Sequence, residues 1–269
     1  MLDNDGLPLD EVGPWSKEKH ERLRKYVDIT RATRRKWVTG SGGATYIDLY
    51  CGSGRAIIRG TQEKIDGSPL VAFNSARDGG VAFSEIHIAD SSEESCRAAE
   101  QRLASAGSLA KAEIGSADTT VIRIARKLNP RGLHFAFLDP YNLDALPFPV
   151  IKTLAKFRYI DVLIHISVHD LQRNLDAYSA SMDRPLDHFA PGWRNAVSLK
   201  QSKSATRAAY VAYWAAEMEK LGFGPARYEL ISGPAKKQRL YWLVMVSHHK
   251  LAQEFWDKIR NVSGQGELL

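Results

Sequence analysis

The chain has 269 residues, 44% hydrophobic and 25% charged, which suits one large globular domain able to bury a full core. No apolar run approaches the ~20 residues a bilayer span needs, and the polar, acidic opening Met1-Leu2-Asp3-Asn4-Asp5 does not read as a signal peptide, so a cytoplasmic protein without membrane partners is expected. Two cysteines, Cys51 and Cys96, exclude a disulfide framework and a four-cysteine zinc site, while a net charge of +6 keeps nucleic acid open as a partner.

In chain order, Leu23, Tyr26, Val27 and Ile29 recur at near-helical spacing among the basic residues between Lys17 and Trp37, which predicts one or two amphipathic helices in an N-terminal extension over 1–40. Ala44 to Tyr50 is a β-rich run that enters a glycine turn, Cys51-Gly52-Ser53-Gly54. Ser68 as N-cap and Pro69 at the first helical position launch a helix to Arg77. Strands are expected at Phe83–Ala89, Lys111–Ile114, Leu133–Leu138 and Ile160–Ile166. Helices are expected from Ser92 to about Ala106, over Thr119–Lys127 and over Phe148–Phe157. Strands and helices alternate and the strands are almost wholly apolar, which argues for an α/β domain over 41–261 with a mostly parallel sheet covered on both faces.

The segment 168–200 is polar, carries Pro185, Pro191 and Gly192, and reads as an irregular substrate-side insertion. A helix from about Ala205 to Leu221 ends at Gly222. Tyr228–Ile231 and Leu240–Ser247 then form a closing antiparallel hairpin across a basic link, and 262–269 is a loose tail.

Ligands of open α/β sheets sit beyond the carboxyl ends of the strands. Asp48, Asp90, Asp118 and Asp139 each fall at or just after such an end. Gly52 and Gly54 let the backbone approach a ligand closely, and Asp48 can brace the turn or meet a ligand ammonium. Asp90 is placed to accept from two ribose hydroxyls and Asp118 to meet an adenine amino group, the contacts of an adenosine cofactor. A nicotinamide dinucleotide would want G-x-G-x-x-G, yet Ile57 stands where the third glycine belongs, although Arg55 beside the turn suits a phosphate. About 42 residues separate Asp48 from Asp90, twice the ~20 of a compact nucleotide-binding unit, so Arg55 to Asp66 must form an extra loop or hairpin. His165 and His169 have no third ligand and are read as non-metal residues. The basic clusters at 17–36 and at Lys200, Lys203 and Arg207 lie near Tyr178, Phe189 and Trp193, candidate surfaces for stacking nucleobases.

Asp139-Pro140-Tyr141 is similar to the Asp/Asn-Pro-Pro-Tyr motif of amino-directed methyltransferases, short of one proline. With Lys19-His20 to Tyr26, Tyr46-Ile47-Asp48-Leu49-Tyr50-Cys51-Gly52-Ser53-Gly54, Gly67-Ser68-Pro69-Leu70 and Leu138-Asp139-Pro140-Tyr141 in that order, the chain resembles the three-Cys-motif partner protein (TcmP) family over roughly 15–247. Cys51 and Ser53 stand where many relatives have Ala and Pro. The resemblance implies a Rossmann-like class I methyltransferase fold with a seven-stranded sheet, S-adenosylmethionine (SAM) as cofactor and a radical-SAM-type protein partner. It assigns Asp48, Tyr50, Gly52, Gly54, Asp90 and Asp118 to SAM, and Asp139 and Tyr141 to catalysis. Pro140, Asp170, Arg173 and Asn174 go to the substrate. Three functions follow: a SAM-dependent methyltransferase with nucleic acid as a candidate acceptor, a non-catalytic SAM-binding partner subunit, and, more remotely, a nicotinamide-dependent oxidoreductase.

Overall fold

Strand β2 (Ala44–Asp48) buries all five of its residues and is an inner strand, third in order, of a seven-stranded sheet. The structure, a computed structural model, describes residues 1–180, 185–232 and 239–261. The expected tail and residues 233–238 of the basic link lie outside the described residues. On one side of β2 lie β5 (Glu85–Asp90) and β6 (Lys111–Ile114); on the other lie β7 (Leu133–Leu138) and β8 (Ile160–Ser167), all parallel to it. A closing hairpin of β9 (Arg227–Ser232) and β10 (Arg239–Ser247) follows, with β10 antiparallel to β8. The sheet order β6-β5-β2-β7-β8-β10-β9 reverses direction of growth between β5 and β7, and the crevice that binds ligands in open α/β sheets opens there.

The period of two along the strands sorts the core into two layers. Ile47, Ala136 and Leu138 pack on one face with α5 (Ala117–Ala125), α6 (Phe148–Leu154) and α9 (Lys203–Lys220). Tyr46, Phe135 and Phe137 pack on the other with α1 (Ser16–Ile29), α3 (Ser68–Asp78), α4 (Glu93–Ser105) and a C-terminal helix, α10 (Lys250–Asn261), that the sequence reading did not foresee. Helix α1 lies against the sheet, with Leu23, Tyr26 and Val27 fully buried, and α2 (Arg31–Val38) continues it. No helix among the described residues is long and apolar enough to cross a membrane.

Caps explain most boundaries. Ser92 accepts from the Ser95 N–H at 3.2 Å to start α4, and Ser202 does the same for α9 from Ala205. The start of α3 differs from expectation: Gly67 is its N-cap, and Ser68, buried, turns its hydroxyl to Asp48 instead of capping. Residues 55–66 form a hairpin, β3 (Arg55–Ile58) and β4 (Lys64–Asp66), which an N-terminal strand β1 (Asp10–Val12) extends in parallel.

The segment read as irregular contains a twelve-residue helix, α7 (Val168–Ser179), capped by Ser167, and a short helix α8 (Pro185–Phe189). Leu171, Leu175, Leu186 and Phe189 are buried, so a sparse apolar stripe was hidden among polar residues. Phe189 stacks on Trp214 at 5.1 Å, and Trp193 is fully buried with its Nε1–H donated to Asp187. Neither offers a free face to a nucleobase; the side chains of Tyr178 and Arg173 lie outside the described part of the structure.

Candidate functional site

The glycine turn joins β2 to the β3–β4 hairpin. Gly52 and Gly54 have φ of +53° and +79°, a region that costs any other residue strain. A Cβ on Gly54 would meet the Ala99 backbone at 3.0 Å, and one on Gly67 would meet Gly54 at 2.9 Å. The Gly67 N–H donates to the Gly54 carbonyl at 2.8 Å, so Gly67-Ser68-Pro69 is held directly against the turn.

Every backbone N–H from Tyr50 to Ser53 is already bonded. Tyr50 donates to Asp48 Oδ1 (3.1 Å), Cys51 to the Ala89 carbonyl (3.0 Å), Gly52 to Asp90 Oδ2 (3.0 Å) and Ser53 to Asp10 Oδ2 (2.7 Å). Two carboxylates, Asp90 and Asp10, therefore neutralise the donors of the turn. Asp90 Oδ1 also accepts from the Ser92 N–H at 2.9 Å, and each of its oxygens keeps a second lone pair for a hydroxyl. Arg55 is drawn away from the turn, with Asp3 at 2.9 Å and Asp5 and Asp66 nearby.

Asp48 is fully buried beneath this turn. Burial pushes its carboxyl up to about 7, although hydrogen bonds from Ser68, the Tyr50 N–H and the Tyr46 hydroxyl (3.0 Å) oppose that rise. It braces the strand end from within. Tyr50, half-buried, donates its hydroxyl to the Ala145 carbonyl at 2.6 Å and ties the turn to the loop after β7. Asp118 sits exposed in the first turn of α5, bonded to Ser116 and the Thr119 N–H, with Ser116 rather than Asp118 as the N-cap.

At the ends of β7 and β8 the environment changes. Asp139 is ion-paired with Lys19 of α1, and His165 Nδ1 lies 3.2 Å from its other oxygen without hydrogen-bonding alignment. Burial alone would raise the Asp139 carboxyl, but the Lys19 ammonium and His165 hold it below its ordinary value. His165 and His20 are both pushed down to about 4, by burial first; the Lys19 charge lowers each further, against the pull of Asp139. Both rings are neutral near pH 7, and each leaves a buried Nδ1 without a hydrogen bond. Pro140 is buried, and its carbonyl interacts with His165. Tyr141, by contrast, is 82% exposed and does not join the Asp139 cluster.

Asp170 accepts from the Leu143 N–H at 3.0 Å and from Asn174 at 2.7 Å, so both residues brace the 139–146 loop from α7. Lys19, His20 and His165 carry the electrostatics of this half, and sequence reading gave them no site role. The one available signal was Lys19-His20, quoted as a motif without a partner. The cations of 17–36 are largely spent internally: Lys17 on Glu63, Lys19 on Asp139, Arg22 on Glu229, Arg24 and Lys25 on Glu21, and Arg31 on Asp28.

No protein-family model matches the sequence, and no curated protein matches it. Among solved structures, the Legionella pneumophila str. Philadelphia 1 protein LPL1258 aligns at a TM-score of 0.53 with 11% identity, covering 90% of this chain and 91% of that one. The DszA carbon methyltransferase aligns at 0.52 with 11% identity over 88% of this chain and 55% of its own. An O-methyltransferase from Bacillus cereus, in complex with SAH, aligns at 0.48 with 11% identity, covering 90% and 85%. At such identities the likeness speaks for the fold alone. It agrees with the strand order and the glycine turn after β2: the chain has the Rossmann-like fold of class I methyltransferases.

Proposed function

We propose that the chain is a SAM-dependent methyltransferase of the three-Cys-motif partner protein type. One observation carries this reading: the N–H donors of the glycine turn are already held by the Asp90 and Asp10 carboxylates. A dinucleotide pyrophosphate needs those donors free and would face two negative charges at the turn. A cofactor bearing a sulfonium and an ammonium, and offering a ribose diol to Asp90, meets a favourable field there. The paired Arg55 removes the cation that would have argued for phosphate.

In this reading Asp90 takes the ribose, Asp118 or its neighbour Ser116 the adenine amino group, and the turn at Gly52 and Gly54 gives close backbone approach. SAM, when bound, supplies an electrophilic methyl group for in-line displacement. The protein's share is positioning, which is worth up to ~7–11 kcal/mol in well-oriented reactions. Asp139, kept ionised by Lys19, is an acceptor for the N–H of an amine or nucleobase, and the exposed Tyr141 ring offers a stacking face at the mouth. A nucleic-acid acceptor would engage through that ring rather than through the paired cations of α1.

The Lys19–Asp139 pair also favours a second reading, in which the acceptor side is closed and the chain serves as a SAM-binding partner subunit of a radical-SAM-type protein. A thermal-shift series separates the cofactors: SAM and its demethylated product should raise Tm, and NAD should not. Stabilisation by NAD alone overturns both SAM readings. Sustained methyl transfer to a defined acceptor then removes the partner-only reading.

A further inference from the structure

Helix α1 runs antiparallel to β7 and overshoots its carboxyl end. Two contacts fix the alignment. The Tyr26 ring packs on Phe135, inside β7, with centroids 4.8 Å apart, and Lys19, earlier on the helix, pairs with Asp139 just past the end of the strand. Trp15 lies one further turn back. Its φ of −67° and ψ of −15° are helical, and its carbonyl accepts from the Lys19 N–H at 3.2 Å, so Trp15 and Lys19 share one face of the helix. At 1.5 Å per residue Trp15 stands ~6 Å beyond Lys19, and helical side chains lean towards the N-terminus. Its ring therefore overhangs the mouth at Asp139 instead of packing on the sheet.

That ring is held from behind. Gly13 is buried, and a Cβ there would run into the six-membered ring of Trp15, so the indole lies against bare backbone. The Tyr241 hydroxyl donates to the Trp15 carbonyl at 3.1 Å, and the Tyr241 ring packs on His165, beside Asp139, with centroids 4.6 Å apart. Trp15 nevertheless stays 37% exposed, Tyr141 is 82% exposed, and Asp139 keeps part of its side chain open to solvent. An indole seated on one side and open on the other is a surface on which any nucleobase can stack.

We infer that Trp15 is a stacking platform for the methyl acceptor, and that the acceptor is a planar nitrogen heterocycle of the nucleobase type. Its ring lies on the indole while its N–H meets Asp139. The inference rests on the methyltransferase reading of this mouth and adds to it a residue and a substrate class. An aliphatic amine could reach Asp139 but would gain nothing from the platform.

The test is calorimetric titration of the full chain, saturated with SAH so that its own adenosine site is filled. The probes are cytidine and adenosine at millimolar concentrations, five-residue single-stranded oligonucleotides of each, and cyclohexylamine as a non-planar amine. A base-bearing probe should bind and cyclohexylamine should not; binding by the oligonucleotides alone assigns the base to nucleic acid, and binding by the nucleosides shows that the ring suffices. Trp15→Leu should weaken that binding about tenfold or more, the worth of one base stack, and Trp15→Phe should retain most of it. Gly13→Ala, which keeps the indole but drives it off its seat, should cost as much as Trp15→Leu. SAH affinity should be the same in wild type and all three variants. Base binding that survives Trp15→Leu or Gly13→Ala, or cyclohexylamine binding as tightly as the bases, would overturn the inference. So would the absence of base binding to a chain that binds SAH, whereas a wild type that fails to bind SAH would overturn the methyltransferase reading and this inference with it.

Discussion

At the carboxyl ends of β2, β5 and β6 the carboxylates bond to backbone N–H groups, Asp48 and Asp118 in their own turns and Asp90 in its own turn and in the glycine turn after β2, and Asp90 and Asp118 remain within reach of solvent. At the ends of β7 and β8, one strand away, Asp139 is covered by a helix from the other end of the sequence and neutralised by Lys19, 120 residues distant. The first half is preorganised by backbone hydrogen bonds, so a ligand finds its acceptors already in place. The second half is made by tertiary packing and presents an ion pair. Cofactor chemistry therefore stands closer to the sequence than acceptor chemistry does.

The largest effect expected from breaking this contrast falls on the acceptor half. Lys19→Met should destabilise the chain by ~3–5 kcal/mol in urea unfolding, because it leaves the Asp139 charge buried and uncompensated. The double variant Lys19→Met/Asp139→Asn should recover most of that loss. A single-variant cost below ~1 kcal/mol would place the pair among exposed, weak ion pairs and undo the contrast.

Asp48 sharpens the contrast from the cofactor half. Its folded carboxyl is raised to about 7 from an ordinary 3.8, so the folded state binds the proton more tightly than the unfolded one. Stability from this group is full below pH 3.8 and is lost as pH rises through about 7, by at most about 4 kcal/mol. His20 and His165, pushed down to about 4, act the other way and lose stability as pH falls from 6.5 towards 4. The difference between wild type and Asp48→Asn isolates the carboxyl. Unfolding free energies measured across this range should show wild type losing ground to the variant as pH rises, and a flat difference would contradict a buried, proton-retaining Asp48.

The smallest effect belongs to Tyr141. Exposed and outside the cluster, it should tolerate Tyr141→Ala within about 0.5 kcal/mol of stability. If its ring stacks the acceptor, kcat/KM for an aromatic acceptor should fall by the equivalent of ~1–3 kcal/mol while SAM affinity is unchanged. Unaltered kcat/KM would detach Tyr141 from the acceptor side.

These differences also mark what a single sequence reveals. The parallel core was legible because β2, β7 and β8 are predominantly apolar, and the turn was legible because Gly52 and Gly54 punctuate a strand end. Strand-end carboxylates were found by position alone. Lys19 and His165 were not, since an ion pair across 120 residues leaves no spacing to read. Asp10 was missed for the same reason: it meets Ser53 only because β1 pairs with β3. Helix α7 was hidden by its polar composition, and Phe189 and Trp193, read as stacking surfaces, proved to be core because α9 supplies Tyr210 and Trp214 to cover them.

The central claim is that carboxylates at the glycine turn select a sulfonium cofactor, and calorimetric titration of wild type and Asp90→Ala with SAM and NAD tests it most directly. The account requires wild type to bind SAM in preference to NAD, and Asp90→Ala to bind SAM ~10–100-fold more weakly, the worth of one charge-assisted hydrogen bond. NAD binding as tightly as SAM, or an Asp90→Ala variant indistinguishable from wild type, would contradict it.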